Sequence, residues 1–98
     1  MSTYVLSFRG QNDRTSDPDQ EAAWGQWFQA IGDRVIDFGH RVGQVSALGG
    51  EATGGGTVLT GYVVITADDM EAAVAVAERC PGLQHGGGVE VGETVEAS

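Results

Sequence analysis

The chain has 98 residues and a formal net charge of −9, and its five basic residues are all arginines. That balance excludes the clustered positive charge that nucleic acid or an anionic membrane requires, and the lack of any lysine excludes Schiff-base chemistry on a side-chain amine. A single cysteine rules out an intramolecular disulfide, and no apolar stretch approaches membrane-spanning length.

A length of this order reads as one domain over residues 1–98, small enough that its stability must come from packing, from a second subunit, or from both. The first residues, Met1-Ser2-Thr3-Tyr4-Val5, lack the basic start and apolar centre of a signal peptide. Together with the lone Cys80, this predicts a cytoplasmic protein.

Residues 3–9 alternate, with Tyr4, Leu6 and Phe8 on one face and Val5, Ser7 and Arg9 on the other, which predicts a first strand. A polar loop over 10–16 follows. Asp17, Pro18 and Gln20 then read as a cap, a first helical position and a capping-box partner. Trp24, Trp27, Phe28 and Ile31 recur at i, i+3, i+4 and i+7, the stripe of a helix that ends at Gly32. Gly25 weakens this helix and leaves room for another backbone to come close.

Val35-Ile36-Asp37-Phe38 predicts a short second strand. Residues 39–56 contain seven glycines and read as one long loop, with Gly54-Gly55-Gly56 as its mobile tip. Residues 57–67 are apolar on both faces, the pattern of a central strand. Asp68 and Glu71 predict a capping box, and Met70, Ala73, Val74 and Ala77 give the stripe of a second helix. Cys80-Pro81-Gly82 stops it, and Val89, Val91 and Val95 mark a last strand.

The order strand, helix, strand, strand, helix, strand predicts an α+β fold, a ferredoxin-like βαββαβ sandwich with both helices on one face of an antiparallel sheet. The other face has no helix to cover it. Its apolar positions predict a homodimer through the open sheet face, as in a dimeric α+β barrel.

Several segments together resemble a known family. Gly61-Tyr62-Val63-Val64-Ile65, Asp68-Asp69-Met70-Glu71-Ala72-Ala73, Arg79-Cys80-Pro81-Gly82-Leu83 and Gly86-Gly87-Gly88-Val89-Glu90-Val91 occur in the order and spacing of the YCII-related (DGPF) proteins. Trp24-Gly25-Gln26-Trp27-Phe28 and Val35-Ile36-Asp37-Phe38-Gly39 fit the short actinobacterial branch of that family. The resemblance implies two ferredoxin-like sheets facing each other in a dimer. In some members it implies a His–Asp pair, the histidine on the first helix and the aspartate near the second strand. Here Asp37 stands on the strand side, whereas the helix reads Glu21-Ala22-Ala23-Trp24 and the Asp-Gly-Pro-Phe motif is missing. The resemblance therefore carries over an aspartate without its histidine.

The residues themselves offer another pair. Asp37 interrupts an apolar strand and His40 follows the glycine turn, so a carboxylate orienting an imidazole would make an acid/base pair near neutral pH. The plainer reading is a turn cap beside a solvated histidine. His85, ahead of three glycines, is a candidate ligand contact. Trp24, Trp27 and Tyr62 are candidates to line a pocket for a small apolar or aromatic molecule, or else simply core residues. Two histidines without HxxxH or His-x-His spacing predict no metal site, and no cofactor motif is present. Cys80, at a helix C-terminus, reads as a small buried hydrophobe.

Three functions remain open from the sequence. One is a dimeric small-molecule-binding or accessory protein with at most weak catalysis. Another is an enzyme of lactone hydrolase, isomerase or dehalogenase type using Asp37 and His40. The third is a purely structural interaction subunit.

Overall fold

A computed structural model describes residues 2–10, 18–49 and 57–95 of the chain. The expected cap at Asp17 and the glycine run at 54–56 lie outside the described residues. Six principal elements follow in order: β1 (Ser2–Gly10), α1 (Pro18–Ile31), β2 (Val35–Asp37), β3 (Val58–Ala67), α2 (Met70–Ala77) and β4 (Gly88–Glu93). Short 3-10 turns at Gly32–Arg34 and Pro81–His85 close the two helices. The strands form one antiparallel sheet in the order β2-β3-β1-β4, so this is a small α+β domain with an open four-stranded sheet and two helices. The arrangement is compatible with the ferredoxin-like expectation.

The core follows from period-two alternation meeting two helical stripes. Tyr4, Leu6 and Phe8 of β1 and Val63, Ile65 and Ala67 of β3 are buried on one sheet face. Trp27 and Ile31 of α1 and Ala73 and Ala77 of α2 belong to the same buried cluster, so both helices cover that face. The opposite face carries the cross-strand pairs Thr3–Thr66, Val5–Val64 and Ser7–Tyr62, all half-buried, with Arg9 and Glu90 beside them. Though central in the sheet, β3 is covered on only one side, because neither of the described helices reaches the other.

Local chemistry moves several boundaries. The cap of α2 is Asp69, not Asp68: its carboxylate accepts the Ala72 amide at 2.8 Å, which starts the helix at Met70. Val95, expected in the last strand, lies past its end and is exposed. β2 stops at Asp37, and the phase of its pairing with β3 slips between Val35 and Asp37. A second slip sits between Phe8 and Arg9 of β1, where Thr60 is the extra residue opposite and its hydroxyl donates to the Phe8 carbonyl at 3.2 Å.

Among the described residues, no backbone approaches Gly25. A Cβ placed there would meet nothing within 4 Å. Gly25→Ala is therefore expected to stabilise the domain by about 0.8–1.0 kcal/mol, the helix-propensity difference alone. Urea unfolding followed by circular dichroism checks this, and a lower midpoint would show that the position is not open.

Candidate functional site

Asp37 ends β2 and turns the chain. Its Oδ1 accepts the Gly39 amide at 2.8 Å, an Asx turn in which the carboxylate satisfies a backbone donor two residues on. Gly39 has φ of +67°, a conformation that side-chain-bearing residues rarely adopt. The turn returns the chain alongside β3, contrary to the expectation of a free loop from residue 39 onward. The Tyr62 amide donates to the His40 carbonyl at 3.3 Å, the Val42 amide donates to the Thr60 carbonyl at 2.9 Å, and Arg41 bridges to Gly61.

This return places His40 beside Tyr62, with ring centroids 6.1 Å apart and planes at 60°. Asp37, His40 and Tyr62 thus gather along the β2 edge of the sheet. Among the described residues, however, no hydrogen bond joins Asp37 to His40. The aspartate is a turn cap, and the imidazole is exposed against the tyrosine ring. Arg41 reaches Glu21 of α1 at 3.7 Å, an exposed ion pair that contributes little to stability.

Trp24 and Trp27 stand in the core cluster between the helices and the sheet. Phe8 meets Trp24 edge-on at 5.0 Å and Trp27 at 5.7 Å, and the two indoles cross at 87°. Phe28 continues the cluster toward Phe38. The Trp27 Nε1–H donates to the Val76 carbonyl of α2 at 3.4 Å, tying one helix to the other. Both indoles therefore serve packing first: Trp27 is buried in the core cluster and Trp24 is half-buried against it. His85 belongs to the 3-10 turn after α2, but its side chain lies outside the described residues.

A concavity lies where no pattern in the sequence announces one. A groove of about 390 Å³ runs between α2 and β4, lined by Met70, Val74, Ala77, Glu78, Leu83, Val89 and Val91. Met70 is 43% and Leu83 42% exposed along it. Met70, Val74 and Ala77 belong to the helical stripe and Val89 and Val91 to the strand alternation, while Glu78 and Leu83 belong to neither. Neither pattern tells that the sheet ends before covering the stripe.

Neither a family model, nor a curated protein, nor a solved structure matches the chain. Chemistry must therefore be read from the residues. Among the described residues no group of three or more His, Cys, Asp or Glu side chains is placed to hold a metal ion, and no helix is long and apolar enough to cross a membrane. Cys80 is buried, and burial pushes its thiol pKa up, partly offset by hydrogen bonds with the backbone at Leu83 and Gly82. It sits as a neutral thiol in the core cluster rather than as a nucleophile.

Proposed function

We propose that the protein acts by binding rather than by turnover: a cytoplasmic accessory or small-molecule-binding protein of YCII-related, ferredoxin-like type, with at most weak catalysis, working as a homodimer through its open sheet face. The observation that carries this reading is the engagement of Asp37. Its carboxylate accepts the Gly39 amide and, among the described residues, makes no hydrogen bond to His40, which supports a binding role over an Asp37–His40 acid/base pair.

The open face supports the dimer. Val5 and Val64 sit directly opposite each other at its centre, next to Tyr62, and both valines are only half covered. Arg9 on β1 and Glu90 on β4 share the face, so a twofold mate would present each charge with an opposite one nearby. The Arg9 guanidinium is held in place by Thr57, through the side-chain oxygen at 3.3 Å and the carbonyl at 3.0 Å.

Sedimentation equilibrium tests the reading. The native protein is expected at twice the 10.2 kDa chain mass, and Val64→Glu at the chain mass with an unchanged circular dichroism spectrum. A native particle of one chain mass across the micromolar range sinks the dimer. Turnover of a small ester or lactone that is abolished by Asp37→Asn would overturn the non-catalytic part.

A further inference from the structure

The geometry points to the free edge of β4 as a docking site for an extended, basic segment of another protein, which adds to the sheet as a fifth strand and sends its apolar side chains into the groove beneath α2.

The first reason is a mismatch of widths. The buried side of α2, Ala73 and Ala77, rests on the sheet, while Met70 and Val74 line a groove at the side of β4. β4 pairs with β1, and among the described residues no strand lies beyond it. Neighbouring strands lie about 4.8 Å apart, so one more strand would fall under the uncovered flank of the helix. Alternate side chains of that strand would enter between Met70, Val74 and Leu83 on one side and Val89 and Val91 on the other. Main-chain bonds to β4 would supply affinity, and the groove would select apolar residues at every second position.

The second reason is charge, which decides among occupants. From Asp68 to Glu93 the chain carries six carboxylates and one arginine. Glu78 lines the groove and Glu93 shares its face of β4, while Glu90 stands on the opposite face, so the edge is acidic on both sides. A second copy docked edge to edge would bring two such acidic strands together, and like charges directly opposite destabilise a ladder. The chain's own segments at 11–17, 50–56 and 96–98 contain no Val, Leu, Ile, Met or aromatic residue to fill an apolar groove. A strand alternating Lys or Arg with Val, Ile or Leu answers both features, its apolar side chains entering the groove and its basic ones lying on the opposite face with Glu90.

The test titrates the ¹⁵N-labelled full chain with acetyl-Lys-Val-Lys-Val-Lys-Val-Lys-amide and with a peptide of the same composition in block order. The alternating peptide is expected to shift the amides of Gly88–Glu93 and to bind about tenfold more tightly than the block peptide, a difference of about 1.4 kcal/mol. Leu83→Asp and Glu78→Lys, both at exposed positions, are expected to weaken it by a similar factor without changing the fold. Val64→Glu, on the other sheet face, leaves it intact, so a failed dimer and a failed groove are told apart. Equal binding of the two peptides, shifts spread over the acidic surface, or no binding overturns the proposal. Concentration-dependent shifts at β4 without peptide would assign the edge to a second copy instead, and would equally overturn it.

Discussion

Trp27→Ala is expected to lower the folding free energy by about 3–5 kcal/mol, the range for deleting a buried aromatic from a close-packed core. A domain of this size has a total of about 5–15 kcal/mol, so the variant would stand near its unfolding threshold at room temperature. The ring is buried among Phe8, Trp24 and Phe28, and its loss opens a void that the rigid sheet cannot close. It also removes the donor that ties α1 to the Val76 carbonyl of α2. Urea denaturation followed by far-ultraviolet circular dichroism measures the effect. Trp27→Phe retains most of the packing but not the donor, so the difference between the two variants isolates the hydrogen bond. A loss below about 1 kcal/mol for the alanine variant would show that the indole does not anchor the core.

Gly39→Ala is the second large effect, and its signature is local. At φ of +67° an alanine carries backbone strain of about 1–3 kcal/mol. Its Cβ would also overlap the Tyr62 carbonyl oxygen and lie 2.8 Å from the carbonyl carbon. Backbone atoms of a central strand cannot give way as a flexible side chain can, so the turn must lift from β3. Hydrogen exchange is expected to quicken at the amides of Tyr62 and Val42, which donate to His40 and Thr60, while Val63 and Ile65 stay protected. Gly43→Ala, where an added Cβ meets nothing within 4 Å, serves as the control and is expected to be near neutral. Unchanged exchange at Tyr62 in Gly39→Ala would refute the close approach.

These two positions also show what a sequence can and cannot disclose. Trp27 was visible as a core residue because its spacing from Trp24, Phe28 and Ile31 is a property of one helix. The same holds for Tyr4, Leu6 and Phe8, whose alternation fixes the buried side of β1 whatever the rest of the chain does. Gly39 was visible only as a member of a glycine-rich stretch. Its need for left-handed backbone arises because residues 40–42 return along β3, a partner remote in sequence. Asp37 is legible by its neighbours: an aspartate two residues before a glycine is the signature of an Asx turn, the plainer of the two readings the sequence offers, and the structure makes that local bond. Adjacent Asp68 and Asp69 offer identical capping chemistry, and only the path out of β3 selects the second. The groove was hidden for a different reason. The width of a sheet relative to the helix above it is a property of the whole assembly, and no periodicity within α2 reports it.

The two rims of the sheet are unequal, and this bears on how far copies could accumulate. β4 runs six residues in unbroken register with β1, so its outer backbone is a regular template. β2 runs three residues, slips phase against β3 and ends at the Gly39 turn, so its outer backbone offers no regular row of donors and acceptors. A head-to-tail filament requires each molecule to template at one rim and be templated at the other. With β2 short and out of phase, a strand added at β4 finds no matching rim on the next copy, so head-to-tail stacking through the sheet edges stops after a single step.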